Sequence, residues 1–320
     1  MAVGVAVSVA GSARIPKSTS VASGHPRRQH NGFMARASAR LPENVAGDLY
    51  VDESCIDCDT CRQVAPGVFA QSDRSMAYVH AQPDSPESRH RALMALVACP
   101  TASIGSVSHA DARNAAVSFP ELVAENVYYC GYTSERSFGA SSYLIVRESG
   151  NVLVDSPRAA EPLLRRVAEM GGVRTMFLSH ADDVADHRRW HERFNCERIL
   201  HEADVSSATR DVERQLQGIE PVRLDDELLV VPVPGHTAGS TALLYRDTFL
   251  FTGDHLWWSA RYGRLHASRG VCWYSWPEQL RSLRRLLDLR FEWVLPGHGR
   301  RHHAPAAVMK EDFSRALASL

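Results

Sequence analysis

The sequence predicts an α+β protein with two domains, a small cysteine-bearing domain followed by a larger layered sandwich of sheets with helices outside. Its 320 residues, 44% of them hydrophobic, suffice for about two domain cores. Four cysteines lie within residues 55–99, whereas histidines and aspartates that follow short apolar runs recur from residue 176 onward. Short strand-like runs together with a helical pattern at 159–170 are typical of sheet layers covered by helices.

Charge and hydropathy exclude two classes of partner. The formal net charge is −1, so no overall field favours nucleic acid or an anionic membrane. No apolar run approaches the roughly 20 residues that a membrane span needs. We therefore expect a small-molecule substrate, and neither a nucleic-acid nor a membrane partner.

Residues 1–41 have the composition of a transit peptide. They are rich in Ala, Ser, Val and Arg, and the first acidic residue of the chain is Glu43. The short apolar start at 3–10 has no basic residue before it, which argues against a secretory signal. We expect import into the chloroplast, with the mitochondrion and a disordered cytosolic tail as alternatives, and a mature N-terminus between Ala37 and Arg40.

Four of the seven cysteines form one ligand pattern. Three of them follow C-x2-C-x2-C spacing, and the fourth precedes Pro100. Three closely spaced thiolates can hold one face of an iron-sulfur cluster that a remote fourth completes, whereas zinc more usually needs two separated pairs. We therefore predict a 4Fe-4S cluster bound by Cys55, Cys58, Cys61 and Cys99.

The residues around these cysteines sharpen the prediction. The third cysteine is followed by VAPGVF at 64–69, and the fourth begins CPTASI at 99–104. Between them, Ser85 and Pro86 predict the start of a helix that delivers Cys99. Over residues 47–106 the chain resembles single-cluster bacterial-type ferredoxins, which implies an electron-transfer partner. Asp57 and Asp59 stand where such ferredoxins often carry glycine, and their charge should lower the cluster potential.

The second domain is predicted to span residues 119–320, after a polar connector at 107–118. Strand candidates lie at 127–129 and 142–146, and a turn at 148–150 leads into the apolar run of 151–155.

Within this domain, four segments place histidine or aspartate directly after a short strand-like run. They read MFLSHADDVADH at 176–187, PGHTAGS at 234–240, FTGDH at 251–255 and VLPGHG at 294–299. Nitrogen and carboxylate donors together suit zinc, iron or manganese. For Asp182 or Asp183 the alternative is an N-cap of the helix expected at 184–194.

In this order the four segments resemble the metallo-β-lactamase superfamily. The resemblance implies an αββα sandwich and one or two divalent ions, zinc or iron. It assigns His180 and His236 to the first metal and Asp254 to a bridging role. It assigns Asp186, His187 and His298 to the second metal.

The first segment departs from the family pattern His-x-His-x-Asp-His. It has two extra residues and no second histidine. Asp182 or Asp183 could replace that histidine as a ligand, and we expect Asp182 to do so. If neither side chain reaches the first metal site, the chain would hold one metal. His191 is a further candidate substitute, but a helix-surface position explains it better.

A metal with such ligands supplies hydroxide at neutral pH, so the sequence favours hydrolysis of an ester, thioester or lactone. Asp186 is the acid expected to orient or deprotonate the water. The aromatic and basic stretch 255–273 could wall the pocket, with buried packing of its tryptophans as the alternative. Arg300 with Arg301 could hold an anionic group, or they could form a solvated basic turn.

Two other functions stay open. A carboxylate in place of a histidine makes the site more iron-like, and the resemblance extends to flavin-linked di-iron oxidoreductases, for which a fused ferredoxin would be an electron source. The chain shows no flavin-binding domain. The third alternative is a non-catalytic redox or scaffold protein with a degenerate metal site.

Overall fold

The structure of the protein is a computed structural model that describes residues 35–320. Most of the predicted transit peptide, residues 1–34, lies outside the described residues. Its last residues contact the cysteine-bearing part: the Arg36 amide donates to Asp52 over 2.8 Å, and Leu41 is only 2% exposed. A mature N-terminus between Ala37 and Arg40 would therefore keep Leu41 in the core.

The cysteine-bearing part consists of two antiparallel strand pairs and two helices. Strand β1 (Leu49–Val51) pairs with β4 (Ile104–Ser106), and β2 (Phe69–Gln71) pairs with β3 (Ala77–Val79). The helices are α1 (Thr60–Val64) and α2 (Pro86–Ala98). Helix α2 begins as predicted, because the Ser85 hydroxyl accepts from the Ser88 amide over 3.1 Å and Pro86 occupies the first turn. Its C-cap is Cys99.

The predicted connector contains a short helix, α3 (Arg113–Ala116), that packs against α2. Ala115 and Phe119 are buried in the same core cluster as residues of both predicted domains. Residues 35–320 accordingly form one compact unit, and the domain boundaries stay a prediction.

The first sheet of the larger part has seven strands in the order β11-β10-β9-β8-β7-β6-β5. The strands are β5 (Glu121–Ala124), β6 (Val127–Tyr129), β7 (Tyr143–Ile145), β8 (Val152–Val154), β9 (Thr175–Phe177), β10 (Glu197–His201) and β11 (Arg214–Leu216). Helices α4 (Glu161–Glu169) and α5 (His187–Phe194) join β8 to β9 and β9 to β10. These two crossovers connect parallel neighbours, as helical connections of this kind do.

The second sheet has six strands in the order β12-β13-β14-β15-β18-β19. They are β12 (Val222–Arg223), β13 (Leu228–Pro232), β14 (Thr241–Tyr245), β15 (Phe249–Gly253), β18 (Trp293–Pro296) and β19 (His302–His303). A hairpin of β16 (Trp257–Ser259) and β17 (Arg264–His266) follows β15. Helices α6 (Trp276–Leu286) and α7 (Ala306–Leu317) complete the chain.

Side chains alternate between the two faces along the strands of the second sheet, and this alternation explains why the sheet separates two core layers. Phe249 and Phe251 belong to the core shared with the first sheet, whereas Leu250 belongs to a second core with residues of α6 and α7. Successive side chains of a strand point to opposite faces, so a sheet covered on both sides buries every position. The order helix, sheet, sheet, helix confirms the predicted αββα sandwich.

Among the described residues, no helix is both long and apolar enough to span a membrane.

Candidate functional site

The four predicted ligand segments meet at one edge of the sandwich. His180 follows β9, His236 lies between β13 and β14, and Asp254 and His298 follow β15 and β18. Because β15 and β18 are parallel neighbours, the loops that leave them lie side by side. The Thr241 amide donates to the Ser179 carbonyl over 2.8 Å and so ties the β9 loop to the second sheet.

One group of donors comprises His180, His236 and Asp254, whose ligand atoms lie within 4.8 Å of one another. Nε2 of each histidine is 3.7 Å from Oδ2 of Asp254. The other ring nitrogens are held from behind, since Nδ1 of His180 lies 2.9 Å from the Ser179 hydroxyl and Nδ1 of His236 donates to the Val271 carbonyl. Such outer contacts orient Nε2 toward a metal position.

A second group comprises Asp183, Asp254 and His298. Asp183 is 1% exposed, and Nδ1 of His298 is 2.8 Å from each Asp254 oxygen. Gly297 allows the carboxylates to approach, because a Cβ there would lie 2.6 Å from Asp183 Oδ2 and 2.9 Å from Asp254 Oδ1. Asp254 is thus common to both groups, as expected of a bridging carboxylate.

The donor atoms fit a divalent cation. Nε2 of His180, Nε2 of His298 and both oxygens of Asp183 are buried without a hydrogen-bond partner in the described part of the chain. Buried polar groups are normally hydrogen-bonded, and buried charges are normally paired or bound to a metal. The mixture of imidazole and carboxylate suits zinc or iron.

The pKa shifts of these groups reflect the buried negative charge of the carboxylates, which a bound cation would balance. Burial and the neighbouring Asp254 carboxylate raise the pKa of Asp183 well above its usual value. Burial disfavours charged His298, but the charge of Asp254 outweighs it and raises the pKa of His298 to about 10. Burial also raises the pKa of Asp155 to about 7. A bound divalent ion would be the largest local charge and would reverse these shifts.

Asp182 lies beside the first group but is 49% exposed. Its Oδ2 is 3.3 Å from Nε2 of His236 and 4.0 Å from Nε2 of His180. Neither Asp182 nor Asp183 caps the following helix, which begins only at His187 with Asp186 as its N-cap residue. Asp182 therefore stays a predicted ligand of the first metal, and Asp183, which sequence reasoning left open, joins the second.

The ligand roles expected for Asp186 and His187 need correction, because both side chains are engaged elsewhere. Asp186 pairs with Arg136 and accepts from the Ala159 amide over 2.8 Å. His187 accepts from Arg198 at Nδ1 over 3.0 Å and donates from Nε2 to the Ala208 carbonyl over 3.2 Å. Neither belongs to a donor group, and the ion pair of Asp186 also argues against its predicted role as catalytic acid.

Other candidates are placed away from the donor groups. Nδ1 of His191 donates to the Cys196 carbonyl over 2.9 Å. Arg300 forms an ion pair with Asp59 over 3.2 Å, and the Arg301 guanidinium lies 4.9 Å from the centre of the Tyr129 ring. The proposed anion-binding role of these arginines is therefore not supported.

Two buried aspartates that sequence reasoning missed hold the ligand loops. Asp155 accepts from the Ser179 amide over 2.8 Å, next to His180. Asp204 accepts from the amides of Ala181 and Gly239 over 2.9 and 2.7 Å and so joins the loops of His180 and His236. Asp155 ends an apolar run, a pattern from which the sequence could have predicted its role. No comparable pattern precedes Asp204.

A cavity of about 1030 Å³ opens above the donor groups. Its walls include Asp182, Asp183, His236, Asp254 and His298, together with the side chains of Phe138, Trp257 and Trp273. Of the predicted aromatic stretch 255–273, the cavity wall thus includes both Trp257 and Trp273. Phe138 and Trp273 are exposed, so the cavity has an apolar mouth.

The four predicted cluster cysteines line a smaller cavity. Burial raises the pKa of the Cys58 thiol to about 12 and also raises those of Cys55 and Cys61. A thiol with a raised pKa stays protonated at neutral pH unless a bound metal stabilises the thiolate, and coordination supplies that charge. The geometry thus fits an iron-sulfur cluster, and Cys58 and Asp59 line the large cavity as well.

Comparison with known families now adds one decisive match. Residues 51–106 match the 4Fe-4S single cluster domain of Ferredoxin I. This confirms the predicted ferredoxin resemblance of the N-terminal part, and all four cysteines lie inside the matched residues.

The larger part is similar to solved metallo-beta-lactamase structures. The B3 metallo-beta-lactamase BLEG-1 aligns with a TM-score of 0.45 at 18% identity, over 55% of this chain and 93% of that one. An archaeal metallo-beta-lactamase superfamily protein from Sulfolobus tokodaii aligns with a TM-score of 0.42 at 16% identity, over 60% of this chain and 86% of that one. ETHE1 from Myxococcus xanthus aligns with a TM-score of 0.43 at 23% identity, over 59% of this chain and 84% of that one. No curated protein matches the chain by sequence.

The roles of Asp183 and Asp186, both in the loop from β9 to α5, can be separated experimentally. We expect Asp183→Asn to lower the metal content by about one ion per chain, because it removes one ligand of a closed donor group. Asp186→Asn is the matched control and should keep the wild-type content, which elemental analysis of the purified proteins measures. Equal loss in both variants would restore Asp186 as a ligand.

Proposed function

We propose that the protein is a metal-dependent hydrolase of an ester, thioester or lactone that carries an iron-sulfur cluster. The observation that best supports this proposal is that Asp254 belongs to two adjacent donor groups at the floor of a 1030 Å³ cavity. A metal ion bound there lowers the pKa of its coordinated water to about 7 and so supplies hydroxide at neutral pH. His180, His236, Asp254, Asp183 and His298 would hold one or two such ions, zinc or iron, with Asp182 as a further ligand of the first ion.

The chain's own residues complete this proposal. Asp182 is the half-exposed acid at the cavity floor, and it takes over the water-orienting role that Asp186 loses to its pair with Arg136. The exposed rings of Phe138 and Trp273 offer an apolar surface for the acyl group.

A second function is favoured by the place of Cys58. Cys58 lines both the cluster cavity and the large cavity, so a cluster bound by Cys58 would lie next to the large cavity and could supply electrons there. A ferredoxin-fed di-iron oxidoreductase is therefore the alternative. It would consume electrons from an external donor and reduce an acceptor such as oxygen.

Turnover by the full chain with and without reductant decides between the two functions. We expect cleavage of a member of an ester, thioester and lactone panel at a rate that cluster reduction changes less than about two-fold, since metal-activated water consumes no electron. Oxygen uptake is followed in parallel. The full chain is needed because both parts share one hydrophobic core. Activity confined to the reduced protein, with oxygen or another acceptor consumed in step, would establish the redox function instead.

We also propose that the N-terminal segment directs import into the chloroplast. The support is the absence of acidic residues before Glu43. A reporter fused to residues 1–45 should enter isolated chloroplasts and be shortened near Ala37 to Arg40. Uptake by mitochondria alone would show that the segment is a mitochondrial import signal instead. Cytosolic retention of the reporter would contradict the proposal.

A further inference from the structure

The loop that carries His298 is held by the ferredoxin-like part. The Gln63 side-chain amide donates to the Gly299 carbonyl over 3.1 Å, and Arg300 pairs with Asp59 over 3.2 Å. Gln63 belongs to helix α1, and Asp59 is its N-cap residue. The same helix carries Cys61, and Cys58 immediately precedes Asp59. The residues directly after His298 are therefore attached to the segment that binds the cluster.

The other side of the loop is attached to the same segment. The Ser141 amide donates to the Gly297 carbonyl over 2.7 Å, just before His298. Two residues earlier, the Gly139 carbonyl accepts from the Thr60 hydroxyl over 3.4 Å. Gly139 has φ +85°, and a Cβ there would lie 2.5 Å from Cβ of Cys58 and 2.9 Å from its sulfur. The backbone of 139–141 thus bridges Cys58 and the His298 loop.

The first donor group is held differently. Ser179 and Val271 contact the rings of His180 and His236, and Asp204 joins their loops. All of these contacts lie within the larger part of the chain. A change in the cluster segment should therefore act first on His298, whereas the contacts that orient His180 and His236 stay in place.

The cluster segment itself depends on bonds that hold it. Asp57 and Asp59 have φ values of 59° and 65°, a left-handed conformation that residues other than glycine seldom adopt. Helix α1 spans only five residues, and its N-cap side chain makes no capping bond. Short helices gain little stability of their own, so ligation of Cys55, Cys58 and Cys61 would add to the ion pairs of Arg62 with Asp57 and Asp59 in holding this segment in place.

We propose that Gln63 and Asp59 are positioning residues for His298, so that an occupied cluster strengthens metal binding at the group of Asp183, Asp254 and His298. The inference rests on the metal centre of the proposed function. Coupling between two binding sites is reciprocal, so metal at this group must also favour retention of the cluster. The ferredoxin-like part then acts as a structural component of the metal centre, whether or not the cluster passes electrons.

Zinc titration of the full chain against a chromophoric chelator tests the proposal under anaerobic conditions, with the cluster reconstituted. The His298→Ala variant identifies which of two zinc affinities belongs to the second group. At that affinity we expect Gln63→Met and Asp59→Asn each to weaken binding roughly 3- to 10-fold, the effect of one hydrogen bond. The other affinity should stay within about two-fold, a split that general destabilisation would not produce.

Gln71→Met is the matched control. Gln71 donates to Asp57 over 2.7 Å, a contact inside the ferredoxin-like part, so its loss should change neither affinity. Cluster-free wild type should resemble Gln63→Met, and zinc should slow cluster loss in the wild type. Equal weakening at both sites, an effect as large in Gln71→Met, or unchanged affinities in the Gln63 and Asp59 variants would each overturn the proposal.

Metal binding and hydrolysis are read separately. A wild-type chain that binds no zinc would overturn the metal centre together with this inference. Site-selective weakening in a chain that hydrolyses no substrate would overturn the hydrolase function alone.

Discussion

We expect the Asp254→Ala variant to lose its metal ions and its turnover together. Both donor groups share this carboxylate, which lies 3.7 Å from Nε2 of His180 and of His236 and 2.8 Å from Nδ1 of His298. Losing metal-activated water removes several kcal/mol of transition-state stabilisation, so turnover should fall on the order of 10³-fold or more. Metal analysis and hydrolysis assays of the purified variant measure the two effects.

Two controls make the Asp254 result interpretable. Asp226→Ala removes an exposed aspartate and should leave metal content and turnover unchanged. The thermal midpoint of Asp254→Ala shows whether the chain still folds, since the variant removes the carboxylate that faces His298. A folded variant that retains wild-type turnover would show that the reaction does not use the shared carboxylate.

We expect the Cys58→Ser, Cys61→Ser double variant to lose the cluster completely. Anaerobically reconstituted wild type should hold about four irons at this site and show broad visible absorption, because four thiolates complete the coordination of a 4Fe-4S cluster. The double variant should lose both the iron and the absorption. Iron analysis and visible spectra measure this directly.

Cys196→Ala provides the matched control for the cluster. Cys196 is buried, as Cys61 is, but it follows α5 and lies outside the cavity lined by the four cluster cysteines. We expect its removal to leave the visible spectrum unchanged, and Cys130 and Cys272 should be equally dispensable. Absorption that persists in the double variant, or disappears in the control, would refute the assignment.

The sequence by itself determined the features that depend on local spacing. Cysteines at C-x2-C-x2-C can reach one cluster in almost any backbone that turns there, and the match over residues 51–106 agrees. Ser85 and Pro86 start helix α2 because capping involves only neighbouring residues. Apolar runs that end in histidine or aspartate predicted a strand before each of these ligand loops, and β9, β15 and β18 lie there, since a strand covered on both faces is apolar throughout.

The tertiary structure decided which donors can reach a metal. Asp183 and Asp186 are aspartates three residues apart, but Arg136 and the Ala159 amide engage Asp186, whereas Asp183 is buried against Gly297. His187 is likewise taken by Arg198. Each of these partners comes from another element, so spacing within 176–187 cannot reveal it.

The same limit applies to the relation between the two predicted domains. Sequence reasoning treated residues 47–106 and 119–320 as separate parts joined by a connector. The fold places Gln63 against Gly299 and Asp59 against Arg300, contacts that span more than 230 positions of the chain. Burial and long-range hydrogen bonding together bring Cys58 to the wall of the large cavity, and neither is encoded in any single motif.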